Sequence, residues 1–146
     1  MLAVVVSLAG CVAGPGEPVA TPTATATPTP TPTPTPTADP VLVPGGTAGQ
    51  NRPYFEFVIF RLLEASSQPT SLEIVDALVV AGFPRESLQV TADTTRVGDP
   101  ADSILFSVLI DGQCLLGQIA KGSFEAELAD VLGSGRCLVG RTVSLD

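Results

Sequence analysis

Apolar and polar positions follow three regimes along the chain. Leu2 to Leu8 is an almost unbroken apolar run. From Gly14 to about Gln50 there is no periodicity, and the residues are largely Pro, Thr, Ala, Gly and Val. Beyond that, apolar residues recur first at helical and then at strand spacing. Tyr54 to Ala65 places Tyr54, Phe57, Val58, Phe60 or Arg61, and Leu62 or Leu63 on one helical face. Pro53 suits the first helical position, so ordered structure is expected from about Arg52. A second helix opens at Thr70-Ser71-Leu72-Glu73, a capping box. Leu72, Val75, Leu78 and Val79 form its apolar face. Gly82 ends it as a left-handed cap, and Pro84 forbids continuation. The short connection predicts an antiparallel helix pair.

After Ser87 the period becomes two. Leu88 to Thr95 is a predicted strand, Val97 to Asp102 a loop, and Ser103 to Ile110 a second strand. Asp111-Gly112 is a two-residue hairpin turn of the I′ kind, and Gln113 to Ala120 is the returning strand. The turn fixes a register: Ile110 opposite Gln113, Leu109 opposite Cys114, Val108 opposite Leu115, Phe106 opposite Gly117. Ile104, Phe106, Val108, Leu115 and Ile119 then share the face expected to pack on the helices. Ser123 to Leu132 is expected as a short helix or irregular loop, and Gly135 to Leu145 as a last strand. The predicted fold is α+β, with two N-terminal helices on one face of a small antiparallel sheet of three to four strands.

Charge and composition then narrow the chemistry. The net charge is −8, and none of the seven Lys and Arg residues is adjacent to another. Phosphate backbones are held by clustered cations, so no nucleic-acid partner is expected. Histidine is absent, which removes Ser-His-Asp and Cys-His catalysis and imidazole metal sites. Lys121-Gly122-Ser123 lacks the S-x-x-K partner of a Ser-Lys hydrolase. Gly133-Ser134-Gly135 has the wrong spacing for a phosphate loop. Two carboxylate groupings stand out, Asp99 with Asp102, and Glu125 with Glu127 and Asp130. They could serve acid–base chemistry or calcium, although neither has an EF-hand pattern. No catalytic residue, metal or cofactor is expected.

The chain begins Met1-Leu2-Ala3-Val4-Val5-Val6-Ser7-Leu8-Ala9-Gly10-Cys11. A helix needs about 20 apolar residues to span a bilayer, so this run is too short to cross and remain. Leu8-Ala9-Gly10-Cys11 resembles the lipobox of bacterial lipoproteins. That resemblance implies a signal over residues 1–10, cleavage after Gly10, and a diacylglyceryl group on Cys11 at the outer face of the cytoplasmic membrane. The usual basic stretch before the apolar run is missing, so translation is expected to start upstream, with Lys or Arg codons. Residues 11–51 are expected as a disordered linker. Thr-Pro pairs from Thr27 to Pro36 favour extended polyproline-II geometry and a reach on the order of 60–110 Å. The threonines at Thr21, Thr23, Thr25, Thr27, Thr29, Thr31, Thr33, Thr35 and Thr37 suit either an O-glycosylated stalk or an unmodified spacer. Residues 52–146 are left as one domain.

With Cys11 acylated, Cys114 and Cys137 remain for one bridge in an oxidising compartment. It would close a loop of about 24 residues and contribute about 3–4 kcal/mol. The domain is similar to an uncharacterised domain of actinobacterial lipoproteins. The matching marks are Asn51-Arg52-Pro53-Tyr54-Phe55, Ala81-Gly82-Phe83, Phe106-Ser107-Val108, Cys114-Leu115-Leu116-Gly117-Gln118 and Gly135-Arg136-Cys137-Leu138-Val139-Gly140. The resemblance implies a high-GC Gram-positive source and residence at the cell surface, and no activity. The functional expectation is a non-enzymatic lipoprotein facing the cell wall, anchored through Cys11, whose domain binds an envelope protein or cell-wall component. The alternatives are a small-ligand receptor for transport or sensing and, behind it, a carboxylate-dependent hydrolase using Asp99, Asp102, Glu125 and Glu127.

Overall fold

The structure, a computed structural model, describes residues 38–146. Cys11, the apolar run and the Thr-Pro repeat lie outside the described residues. Two helices, α1 (Ala48–Ala65) and α2 (Ser71–Val80), precede four strands: β1 (Leu88–Val90), β2 (Ser103–Ile110), β3 (Gln113–Ala120) and β4 (Ser123–Asp130). The strands form one antiparallel sheet in sequence order, β1-β2-β3-β4. The α+β expectation holds, with four strands.

Helix α1 starts at Ala48, ahead of the expected Arg52. Thr47 accepts from the Gln50 N–H at 3.3 Å, and the Gln50 side chain accepts from the Thr47 N–H at 2.9 Å. This capping box satisfies orphan donors one turn earlier than proline could mark. Pro53 therefore lies inside the helix and not at its first position. The buried face is Ala48, Asn51, Phe55 and Ile59, rotated from the expected Tyr54-Phe57-Val58 stripe. Residues 54–63 are apolar almost all round, so spacing alone does not choose the phase. Tyr54, Val58, Leu62 and Leu63 pack at the margin of the core instead.

Helix α2 begins and ends as the sequence predicts. Thr70 accepts from the Glu73 N–H at 3.3 Å, and Glu73 accepts from the Thr70 N–H at 2.7 Å. At the other end the Phe83 N–H reaches the Leu78 carbonyl and the Gly82 N–H the Val79 carbonyl, with Gly82 at φ 99°. That is the Schellman pattern. The inward face differs: Ser71, Ile74, Val75 and Leu78 are buried, while Leu72 is exposed. Ser71 turns inward because it has partners. Its hydroxyl lies 2.6 Å from the Thr91 carbonyl, and its N–H donates to Asp93 Oδ1 at 2.6 Å.

Hydrogen bonds from the Thr70 backbone and hydroxyl hold the Glu73 carboxyl below its ordinary value of 4.5. A carboxylate whose pKa is depressed on folding contributes stability above the unfolded pKa. That contribution is lost as pH falls through the folded value. The stability difference between wild type and Glu73→Ala should therefore be constant at neutral pH and shrink on acidification below 4.5. Urea melts of both proteins across that range would expose an error as a pH-independent difference.

The central hairpin matches the expected bounds and register, Ile110 opposite Gln113 through Phe106 opposite Gly117. Asp111 and Gly112 have φ 49° and 73°, as a I′ turn demands. A Cβ on residue 117 would overlap the Phe106 ring, so this position needs glycine. Strand β1 is shorter than the predicted Leu88–Thr95. At Thr91 the side-chain hydroxyl, not the carbonyl, accepts from the Leu105 N–H at 3.0 Å, and the ladder ends. Only an isolated bridge, Thr94 to Pro100, follows.

Two further expectations are corrected. Residues 123–130 form strand β4, not a helix or loop. Lys121 and Gly122 adopt φ 49° and 79°, a second turn with the geometry of Asp111-Gly112. Phe124, Ala126 and Leu128 then alternate with Ser123, Glu125 and Glu127. Residues 135–145 contain no strand. The chain crosses the sheet face opposite the helices instead: Cys137 is bonded to Cys114, and the Cys137 and Leu138 N–H groups donate to Gln89 Oε1 at 3.2 and 3.0 Å. Val143 then donates to the Val90 carbonyl at 2.9 Å, beside the outer edge of β1.

The core lies between the helices and the other sheet face. Phe55 is at its centre, with ring centroids 6.2 Å from Phe83, 5.6 Å from Phe106 and 6.2 Å from Phe124. Ile59, Ile74, Leu78, Val90, Val108 and Leu115 complete it.

Candidate functional site

The residues most distinctive in sequence serve the fold. Asn51 is buried, and its carboxamide ties residues 43–47 to α1. Its Oδ1 accepts from the Val43 N–H at 2.8 Å, while Nδ2 donates to the carbonyls of Val43 and Thr47 at 3.1 and 3.2 Å. Arg52 pairs with Glu56 at 2.7 Å and donates from Nη2 to the Ala126 carbonyl on β4 at 2.8 Å. The Tyr54 hydroxyl donates to the Ala81 carbonyl at the end of α2. Phe55 is the aromatic centre. Asn51-Arg52-Pro53-Tyr54-Phe55 is thus a clamp joining the N-terminal arm, β4, α2 and the core. Composition alone did not suggest this role for Asn51. The signal was its place on the Ala48-Asn51-Phe55-Ile59 stripe, where a polar side chain must find partners.

The two carboxylate groupings do not assemble as grouped. Asp99 sits in the loop after β1, where its N–H donates to the Thr95 hydroxyl and its carbonyl accepts from the Thr95 N–H. Asp102 instead borders a depression of about 330 Å³ beside the start of α2, with Thr70, Asp93, Ser103 and Lys121. Asp93 is engaged there by Ser71. Glu125 and Glu127 project from the same face of β4, and Asp130 from the other, as strand alternation requires. The two glutamates flank a depression of about 160 Å³ on the sheet face opposite the helices, with Leu105, Leu116, Gln118 and Leu138. No other ionisable side chain lines it. A larger depression, about 580 Å³, lies where Leu42 and Val43 meet Phe83, Pro84, Leu109 and Ile110.

Cys114 and Cys137 form the expected bridge, with Cα atoms 5.6 Å apart and both side chains buried. No group of three or more His, Cys, Asp or Glu side chains that could hold a metal occurs among the described residues. None of the described helices is long and apolar enough to cross a membrane.

These features define a small α+β domain with a helical layer on one sheet face and a disulfide-anchored C-terminal strap on the other. The chain belongs to the family DUF6993, a domain of unknown function, which matches residues 60–141. No curated protein and no solved structure matches it.

Proposed function

We propose that this protein is a lipid-tethered extracytoplasmic module, fixed to the outer face of the cytoplasmic membrane through Cys11, whose domain binds another envelope component and performs no catalysis. The observation that carries the reading is the Cys114–Cys137 bridge. Structural disulfides persist in oxidising compartments and are rare in a reducing cytosol. The bridge uses two of the three cysteines, and the remaining one stands in Leu8-Ala9-Gly10-Cys11. One acyl chain holds a protein only transiently, whereas the two chains of a diacylglyceryl group suffice for stable tethering. A net charge of −8 would not itself draw the domain to anionic lipid. The Thr-Pro repeat would then act as a spacer between bilayer and domain. The distinctive residues of the domain are occupied in holding the fold together, which supports the non-catalytic part of the reading.

The test is intact mass spectrometry of protein extracted from membranes with detergent. The expected species begins at Cys11 and carries a diacylglyceryl mass increment, and Cys11→Ala appears in the soluble extracytoplasmic fraction. A Cys11→Ala protein that stays in the membrane would sink the tether. Mass beyond polypeptide and lipid would identify glycosylation of the linker threonines.

A further inference from the structure

The two edges of the sheet are managed differently. Strand β1 is only three residues long, and the strap lies along it, with Val143 bonded to Val90. Strand β4 is eight residues long, unbulged, free of proline, and among the described residues has no strand beyond it. Its outward groups follow from the register. Ala120 and Ser123 flank the two-residue turn and exchange hydrogen bonds, and antiparallel pairs then alternate between bonded and non-bonded. Phe124, Ala126 and Leu128 are therefore non-bonded positions, opposite Ile119, Gly117 and Leu115. Their N–H and C=O groups point away from β3. Of these groups, only the Ala126 carbonyl has a partner among the described residues, the Arg52 guanidinium.

An open edge of this length is a template for strand addition. The side chains on either side specify what can add. On the outer sheet face stand Glu125 and Glu127, both exposed. The ion pairs among the described residues are Arg52–Glu56, Arg61–Glu64 and Arg85–Asp76, and neither glutamate joins one. On the helix side the edge is apolar. Leu128 is 37% exposed, and Phe60, 53% exposed, packs edge-on against Phe124 at 5.4 Å. A second copy of the chain is a poor occupant. Antiparallel pairing of two β4 strands about Ala126 sets Glu125 against Glu127 of the other copy. Shifting the register by one pair sets Glu125 against Glu125, or Glu127 against Glu127. Like charges directly opposite each other destabilise a sheet.

We infer that the outer edge of β4 is a docking site for an extended, basic polypeptide segment, which adds as a fifth strand. Its residues opposite Phe124, Ala126 and Leu128 are apolar and lie over Phe60 and Leu128. Those between them are Lys or Arg and face Glu125 and Glu127. Backbone hydrogen bonds supply affinity, and the alternation of basic and apolar side chains supplies selectivity. This inference rests on the reading of the domain as an interaction module and makes no use of the lipid.

The experiment uses the full chain and three short blocked peptides: alternating Val and Lys, the same with Glu for Lys, and the Lys peptide with its central Val replaced by Pro. Binding is read by fluorescence anisotropy at low salt, and its place by amide hydrogen exchange. The Val-Lys peptide is expected to bind saturably and to slow exchange at Phe124, Ala126 and Leu128, while the Glu and Pro peptides do neither. Glu125→Lys with Glu127→Lys, at exposed positions, should weaken Val-Lys binding by about tenfold or more and leave the thermal midpoint in place. The inference is overturned by absence of Val-Lys binding, by equal binding of the Lys and Glu peptides, or by binding that leaves the β4 amides unprotected. Protection of the same amides by self-association, seen as a dimer in sedimentation without peptide, also overturns it. None of these outcomes touches the acyl mass on Cys11, so the docking site and the tether can fail separately.

Discussion

Replacing Phe55 by alanine is expected to lower the unfolding free energy by about 3–5 kcal/mol, a large part of the roughly 5–15 kcal/mol that a small domain has in total. The magnitude follows from position. The Phe55 side chain is fully buried and packs against Phe83, Phe106 and Phe124, which come from the end of α2 and from two different strands. The Phe106 ring is seated over Gly117 and would have to leave that seat to fill the gap. Part of the cavity therefore persists, and a persistent cavity adds to the lost transfer free energy. Phe60→Ala is the control. That ring lies on the same helix but is half exposed, so its removal should cost about 1 kcal/mol or less. Urea unfolding should show a lowered midpoint with an unchanged slope for Phe55→Ala. Equal losses from the two substitutions would contradict the placement of the core.

The parts of this fold that were legible are those where local chemistry admits one geometry. Asp111-Gly112 supplies two residues tolerant of positive φ between alternating apolar runs, so the hairpin and its register could be written from sequence. Thr70 with Glu73 marks the start of α2, and Gly82 with Pro84 its end, for similar reasons. Lys121-Gly122 makes the same turn as Asp111-Gly112 without the usual Asn or Asp. The acidic residues between Phe124, Ala126 and Leu128 also lower strand propensity. The last strand was obscured for both reasons, and with it the open edge. The phase of α1 depended on Asn51, a polar residue whose burial is rational only once the arm at residues 43–47 is folded against it. The C-terminal segment alternates like a strand, yet Cys137 is drawn onto the sheet's far face by Cys114. There Gln89 receives the N–H groups a strand partner would have taken. For α1 and for the C-terminal segment a tertiary partner overrode the local pattern. The bridge itself was legible by arithmetic. The carboxylate groupings were not, because proximity in sequence placed Asp130 with Glu127 while strand alternation separates them.

Loss of the Cys114–Cys137 bridge is the second large effect expected, about 2–5 kcal/mol for a small domain. Cys114→Ala with Cys137→Ala tests it without burying a new hydroxyl. Both sulfurs are shielded, Cys114 completely, so the loss includes packing as well as freedom regained by the unfolded chain. The consequence should be uneven across the molecule. The strap contains no helix or strand of its own. It is held by the bridge, by two hydrogen bonds to Gln89, by the bond from Val143 to Val90, and by the packing of Leu138, Val143 and Leu145. Without the sulfur link these few contacts must bear the cost of ordering the strap, at about 1–2 kcal/mol per residue. Amide exchange at Leu138 and Val143 should therefore accelerate more than at Leu115 and Ile119 on β3, which keep the helical layer and both neighbouring strands. The outer face of β2 and β3 then loses its cover, including the buried Ser107 hydroxyl, which has no hydrogen-bond partner among the described residues and would gain water. That gain offsets part of the loss and places the expected ΔΔG nearer the lower bound than the upper. A double variant that melts with the wild type, or one whose β3 amides open as readily as those of the strap, would show that the bridge does not hold this segment in place.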